Sequence, residues 1–184
     1  MSDQLNRETP LHYVLQQSTG SDRLSIKEIT DYGHLDLRGD SNDPAFVQGI
    51  AQVTGIELPT APSTWASEHS NALFWLGPDQ WLLLVPHGTQ AEMEAALREK
   101  LSGHFAITDI SSAQTVVELS GEGTEQALRM ASPYDMDKLT VGRAVQTVYA
   151  KTGVTLWRHN DAVRMIVRRS FADYMHRWTT TVAA

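Results

Sequence analysis

Ala72-Leu-Phe-Trp-Leu-Gly-Pro-Asp-Gln-Trp-Leu-Leu-Leu-Val85 is the stretch that decides the fold. Two apolar runs, Ala72–Leu76 and Gln80–Val85, flank Gly77-Pro78-Asp79, a triplet that reverses the chain, so the stretch reads as a β-hairpin with a short turn. Its second arm is apolar at every position from Trp81 to Val85, as in a central strand covered on both faces. Upstream lies a Pro-bearing connection, Leu58 to Asn71, with Pro59, Pro62 and Trp65. Asn42-Asp43-Pro44 starts a helix before it, whose Phe46, Val47, Ile50 and Ala51 form one stripe. Strands are expected at Leu24–Ile29 and His34–Arg38, after a Gly20-Ser21-Asp22 turn. A short helix precedes them, with Thr9 as N-cap, Pro10 at its first position and Leu11, Val14 and Leu15 at helical spacing.

Downstream, Thr89-Gln-Ala-Glu92 has the spacing of a capping box, followed by a helix packing Met93, Ala96, Leu97 and Leu101 and exposing Glu94, Arg98 and Glu99. The order of elements then repeats. A strand over Gln114–Leu119 ends at Gly121, and a helix follows with Ala127, Leu128 and Ala131 inward. Strands Val145–Ala150, Val154–Arg158 and Ala162–Val167 come next. A last helix starts at Ser170 and places Phe171, Tyr174, Met175, Trp178 and Val182 on one face.

A shift of 82 residues aligns the halves. It carries Leu35 and Leu37 to Val117 and Leu119, Gly39 to Gly121, Trp75 to Trp157, Asp79 to Asp161, Leu83-Leu84-Val85 to Met165-Ile166-Val167, and Met93 to Met175. Over the whole length of the halves few pairs are identical; element order and apolar positions carry the match. The expected fold is α+β: two related α+β units from an internal duplication, with mostly antiparallel sheets and helices packed on them. The boundaries read as an N-terminal helix and arm over 1–22, a first unit over 23–105 and a second over 106–184, together one compact module.

The 184 residues suffice for one domain or two small ones with a buried core. No apolar run approaches the ~18 residues of a membrane span, and the polar start MSDQLNRETP does not read as a secretory leader, so a cytoplasmic location is expected. Lys and Arg total 15 against 22 Asp and Glu, a formal net charge of -7. That disfavours a general nucleic-acid module, which needs cations to displace counterions; the strongest basic cluster is Arg164, Arg168, Arg169 and Arg177. Without cysteine, thiolate zinc, iron–sulfur ligation, disulfides and a Cys nucleophile are excluded.

The histidines lie singly; His34 and Asp36, two apart on a strand, read as a solvated strand face, and His176 reads as exposed. Gly121-Glu122-Gly123 sits where phosphate loops sit, but matches neither the P-loop nor the dinucleotide spacing, and Glu122 and Glu125 would repel phosphate. Asp109 and Ser111 invite a search for a triad, yet no nucleophile elbow surrounds Ser111, and Asp109 reads as a turn cap. Trp75 and Trp157, at equivalent strand positions, read as core. Trp65 and Trp178 are candidates for a subunit interface, although Trp178 fits packing against its own sheet better.

Several stretches resemble the gamma subunit of heterotetrameric sarcosine oxidase. Arg7-Glu8-Thr9-Pro10-Leu11 loosely matches that family's R-S-P-L opening, and Leu76-Gly-Pro-Asp-Gln-Trp-Leu-Leu83 is similar to its L-G-P-D-E-W-L hairpin, with Gln80 for glutamate. Asp109-Ile-Ser111, Thr115 and Glu118-Leu-Ser-Gly121 resemble its D-x-S … T-x-x-E-L-S-G strand. Val154-Thr-Leu-Trp157 and Arg169-Ser-Phe-Ala-Asp-Tyr174 resemble its L-W … R-S-F-A-x-Y ending. The resemblance implies the fold of the folate-binding domain of the glycine-cleavage T-protein. It also implies a gamma subunit with no catalytic, cofactor or metal residues of its own, docked mainly on the alpha subunit. FAD, FMN, NAD, tetrahydrofolate and zinc are then expected in the alpha, beta and delta subunits. Such a complex demethylates sarcosine to glycine, produces hydrogen peroxide, and passes the one-carbon unit to tetrahydrofolate or releases it as formaldehyde. Trp65, Arg164, Arg168, Arg169 and Trp178 are the expected subunit interface, with no nucleic acid or membrane as partner. The competing expectation is a free-standing folate-binding or one-carbon-transfer protein of the T-protein type, although no segment matches the catalytic Asp of that type.

Overall fold

The hairpin at 72–85 forms and sits inside a sheet. In the computed structural model, which describes residues 8–17 and 23–183, ten strands are present: β1 (Ser25–Ile29), β2 (Tyr32–Arg38), β3 (Trp65–Glu68), β4 (Asn71–Gly77), β5 (Gln80–Pro86), β6 (Ala106–Asp109), β7 (Gln114–Ser120), β8 (Ala144–Tyr149), β9 (Thr152–His159) and β10 (Ala162–Arg168). Five helices accompany them: α1 (His12–Gln17), α2 (Pro44–Thr54), α3 (Gln90–Lys100), α4 (Thr124–Ala131) and α5 (Ala172–Ala183). Arg7 and the Gly20-Ser21-Asp22 turn lie outside the described residues.

The strands pair antiparallel in two sheets, in the orders β3-β4-β5-β2-β6 and β1-β7-β10-β9-β8. β5 lies between β4 and β2, with Trp81 opposite both Trp75 and Leu37, which is why its run tolerates no polar residue from Trp81 to Val85. The shift of 82 carries β2 onto β7 (Tyr32 to Gln114, Arg38 to Ser120) and β5 onto β10 (Gln80 to Ala162, Pro86 to Arg168). It also carries the start of α3, Gln90, to Ala172, the start of α5.

Each sheet therefore holds four equivalent strands, β3-β4-β5-β2 or β8-β9-β10-β7. The fifth comes from the other half of the chain: β6 pairs with β2, and β1 pairs with β7. The halves have exchanged their first strands.

Three apolar layers hold the structure. Helices α2 and α3 cover one sheet through Phe46, Ile50 and Leu97 against Leu35, Leu37 and Leu83. Helices α1, α4 and α5 cover the other, with Leu11, Leu128 and Met175 against Val117, Leu156 and Met165. Between the sheets lie Phe74, Leu82 and Leu84 against Val116, Trp157 and Ile166. Burial of this kind contributes about 25 cal/mol per Å² of apolar surface, the main favourable term. α2 is bounded as its sequence requires: Asp43 accepts from the Ala45 N–H (2.9 Å), Pro44 opens the helix, and Gly55 closes it at φ 75°.

Local readings fail in identifiable places. β3 lies inside the connection expected to be irregular, and β6 is a four-residue strand that needs β2 to exist at all. Thr89 makes no capping hydrogen bond. Its hydroxyl and its N–H both donate to the Pro86 carbonyl, while Gln90 Oε1 takes the Gly88 N–H, so neither end of the expected box is needed. Of the face expected for the last helix, Met175 is buried and Trp178 and Val182 pack against the core, whereas Tyr174, and Phe171 just before α5, are exposed and Ala172, His176 and Thr179 are buried instead. Thr179 is tolerated inside because its hydroxyl donates to Met175 O (2.7 Å) and lies 2.8 Å from Tyr149 Oη.

Candidate functional site

A polar cleft of about 230 Å³ opens where β1, β2 and β7 come together, lined by Glu28, Tyr32, His34, Ser111, Gln114 and Arg169, among others. The strand exchange creates it, because β1 reaches β7 past the start of β2. His34 is 3% exposed, which corrects the solvated face expected for it. Burial holds its imidazole below the ordinary 6.5, and Nδ1 donates to Gln114 Oε1 at 3.1 Å. Ser111 Oγ accepts the His34 backbone N–H (2.9 Å) and the Gln90 side-chain amide (3.2 Å), and donates to Asp109 Oδ1. Glu28 accepts from Thr115 Oγ1 (2.7 Å) and from the Leu11 N–H (3.2 Å).

These contacts give the D-x-S … T stretch a structural role. Asp109 caps the turn after β6, as its sequence suggests, by also accepting the Ser111 N–H. Ser111 ties that turn to β2 and α3, and Thr115 ties β7 to β1. The Ser111 hydroxyl meets no imidazole: what His34 gives it is a main-chain N–H, and the ring turns to Gln114. The hydroxyl itself donates to Asp109 Oδ1, the acceptor of its own turn. Among the described residues no group of three or more His, Cys, Asp or Glu is placed to hold a metal ion. The Gly121–Gly123 loop is likewise engaged with the fold. Gly121 stands at φ 103°, where a Cβ would come within 2.6 Å of Arg23 O, and the Gly123 N–H donates to that same carbonyl.

The residues expected at a subunit interface separate into inner and outer sets. Trp65 is half-buried between the sheets, stacked on Phe74 at 5.4 Å and 6.3 Å from Trp157. Arg164, with its side chain 13% exposed, pairs with Glu118 at 2.8 Å and donates to Tyr32 Oη at 3.1 Å. Trp178 is half-buried and meets Tyr149 edge-on at 5.7 Å, packing against its own sheet. Arg168 and Arg169 are exposed, and Arg169 donates to the Glu8 carbonyl at 2.6 Å.

His176 is 4% exposed, not solvated, and its Nδ1 is buried without a hydrogen-bond partner. What sequence reasoning missed is an aromatic surface: Tyr13 is 59% exposed, and Phe171 and Tyr174 are each 43% exposed. Apolar periodicity assigns two of these three to the core, and only packing against the second sheet shows them outside. No helix among the described residues is long and apolar enough to cross a membrane.

The model of the family described as "Sarcosine oxidase, gamma subunit family" matches residues 38–184. A sarcosine oxidase subunit gamma from Corynebacterium sp. (strain U-96) is 29% identical over 190 residues, covering 96% of this chain and 89% of the relative. One from Arthrobacter sp. is 28% identical over 175 residues, covering 90% and 83%. Among solved structures, a chain of the heterotetrameric sarcosine oxidase from Corynebacterium sp. U-96, in complex with pyrrole 2-carboxylate, superposes with a TM-score of 0.86 at 26% identity, covering 96% of this chain and 94% of that one. The glycine cleavage system aminomethyltransferase T from Bartonella henselae shares the fold, with a TM-score of 0.65 at 11% identity, covering 92% of this chain and 49% of that one.

Proposed function

The chain belongs to the sarcosine oxidase gamma subunit family, and from that premise we propose that it is the non-catalytic gamma subunit of a heterotetrameric sarcosine oxidase. Its role is to support assembly of the subunits that carry the chemistry, with the alpha subunit as its main contact. In this reading FAD, FMN, NAD, tetrahydrofolate and zinc reside in the partner subunits. The complex demethylates sarcosine to glycine, passes the one-carbon unit to tetrahydrofolate or releases formaldehyde, and yields hydrogen peroxide.

The observation that carries the reading is the near full-length superposition, with similar coverage on both sides, on a chain of a solved heterotetrameric sarcosine oxidase. The cleft supports it from the chemical side, because its inward polar groups are engaged in holding β1, β2, β7 and α3 together. The aminomethyltransferase likeness is one of fold alone.

Co-expression with the alpha, beta and delta subunits tests the proposal. The chain is expected to co-purify in fixed stoichiometry with a flavin-coloured complex. Its omission is expected to lower the yield and thermal stability of that complex and leave the flavin absorption bands of what assembles unchanged. A chain that elutes alone and binds tetrahydrofolate on its own would overturn the reading in favour of a free-standing folate protein.

A further inference from the structure

We propose that a hollow on the inward face of the second sheet receives an aspartate or glutamate side chain of a partner subunit, with Arg168 as its counter-charge; this rests on the gamma-subunit reading. Across that sheet Ile166, Thr155 and Gln146 lie opposite one another on β10, β9 and β8, and Ile166 is covered by the other sheet. Two residues further along the strands, Gln114 lies opposite Arg168, and Gly153 flanks Arg168 on the other side. Here the cover ends. Arg168 and Gly153 are exposed, and a hollow of about 410 Å³ opens over these six residues and their neighbours.

Charge indicates what fills it. Arg168 is the one charged side chain among the described residues lining the hollow, and no carboxylate lines it. Its guanidinium has no acceptor among the described residues, whereas Arg38, Arg98, Arg129, Arg158, Arg164 and Arg177 each hold a carboxylate within the chain. In a chain with 22 Asp and Glu against 15 Lys and Arg, an arginine without a carboxylate is the exception. The groups beside it add donors. The Gln114 carbonyl is taken by His34, which leaves the amide N–H groups of Gln114 unused, and the Thr155 hydroxyl makes no hydrogen bond among the described residues. A planar guanidinium beside N–H and O–H donors matches a carboxylate. The hollow runs on from the layer between the sheets, so a protein segment laid there extends that layer and closes the ion pair off from water, which is where such a pair contributes most.

The duplication supplies an internal control. The shift of 82 pairs Gln114 with Tyr32 and Arg168 with Pro86. On the first sheet the Tyr32 ring packs against the layer between the sheets, and its hydroxyl accepts from Arg164. The fold therefore admits a ring and a proline at this place and does not call for a cation.

The test uses full-length chain titrated onto the remaining subunits of the complex. Arg168→Gln is expected to weaken association at least about tenfold and to flatten its dependence on salt. The unfolding midpoint of the free chain should not move, because Arg168 has no partner within the described residues to lose. Arg168→Lys is expected to recover part of the affinity, a point charge without the fork. Gly153→Glu is expected to weaken association as much as Arg168→Gln. A Cβ at Gly153 meets nothing within 4 Å, so the new carboxylate has room to occupy the guanidinium from within the chain. Arg143→Gln removes a second exposed arginine that has no carboxylate, just before β8, and is expected to leave association unchanged. Wild-type affinity in both Arg168→Gln and Gly153→Glu overturns the proposal. An equal loss in Arg143→Gln also overturns it, since net charge would then be the cause. So does a wild-type chain that self-associates and becomes monomeric in Arg168→Gln, which would make the occupant a second copy. A wild-type chain that binds none of the subunits overturns this proposal and the gamma-subunit reading together.

Discussion

Trp157 of β9 meets Phe74 of β4 edge-on, ring centroids 4.9 Å apart and planes at 66°, so that one ring from each sheet makes the contact. Trp65 stacks on Phe74 at 5.4 Å and 7° and meets Trp157 at 6.3 Å, completing a three-ring cluster in the layer between the sheets. Trp157 is 2% exposed. Trp157→Ala is expected to cost about 3–5 kcal/mol, because neither sheet can collapse into the void without dragging its helices along. Urea unfolding of the two proteins measures this. A loss below about 1 kcal/mol would mean that the inter-sheet layer is not a tightly packed core.

A second expectation concerns two carboxylates that the duplication makes equivalent. Glu118 and Asp36 are related by the shift of 82, but their surroundings differ. Glu118 pairs with Arg164, and both side chains are mostly buried, at 15% and 13% exposed. Asp36, at 19% exposed, is about as buried as Glu118, but it takes the Gln80 amide and its arginine, Arg38, is 46% exposed. Removing the partner of a buried charge costs about 3–5 kcal/mol, whereas an exposed pair contributes about 0–1 kcal/mol. Glu118→Ala should therefore be severely destabilising and Arg38→Ala nearly neutral in the same denaturant assay. Equal effects would mean that the burial of the arginine, 13% exposed for Arg164 and 46% for Arg38, does not decide the cost.

Much of this architecture was legible because it rests on local pattern. The run Trp81 to Val85 states a central strand, Asp43-Pro44 states a helix start, and the shift of 82 states the duplication. The exchange of β1 and β6 was not legible. β6 has four residues, of which only Ile107 is buried, and no short-range signal specifies that it pairs with β2 instead of a strand of its own half. The face of α5 was misread for a different reason. Met175, Trp178 and Val182 face the core as expected, but Ala172, His176 and Thr179 complete the inward side, while the apolar mass of Phe171 and Tyr174 is exposed. Periodicity weighs side chains by hydrophobicity and has no access to which side the sheet occupies. His34 was misread similarly: its strand face meets β7 across the exchanged strands, a contact 80 residues away in sequence.

Acid should destabilise the chain through its buried histidines. Burial is the main cause holding His34, His176 and His159 below the ordinary 6.5. The unfolded chain then binds protons that the folded chain refuses, so stability is full above about pH 6.5 and falls as pH drops below it toward the folded-state values. Urea midpoints measured from pH 8 down to pH 5 should show this loss, and His34→Asn/His176→Asn should show a shallower one whatever its absolute stability. An identical pH profile in the double variant would remove these residues as the cause.

Ser111 offers a test of the clasp at the cleft. Its hydroxyl holds the His34 N–H, the Gln90 amide and the Asp109 carboxylate together. Ser111→Ala leaves the His34 N–H unpaired beside a nearly buried ring, at an expected cost of about 1–3 kcal/mol. Amide exchange at His34 should accelerate well beyond the global change. If exchange there merely tracks overall stability, the hydroxyl is not what holds that N–H.

The exchanged strands make the most demanding prediction. A fragment of residues 1–105 contains β1 without β7, its only sheet neighbour, and β2 without β6, so one strand has no sheet and one sheet has an uncovered edge. Such a fragment is expected to be unfolded or aggregated when expressed alone, with poor amide dispersion and no cooperative melt. Co-expressed with residues 106–184, it should recover a soluble, cooperatively melting complex, because β1–β7 and β2–β6 pairing then re-forms across the break. In the intact chain the slowest-exchanging amides of both sheets should report one common unfolding free energy, since neither sheet can open without losing a strand held by the other half. A monomeric, cooperatively folding 1–105 fragment, or two sheets with separate protection levels, would show that the exchange adds contacts without binding the halves into one unit.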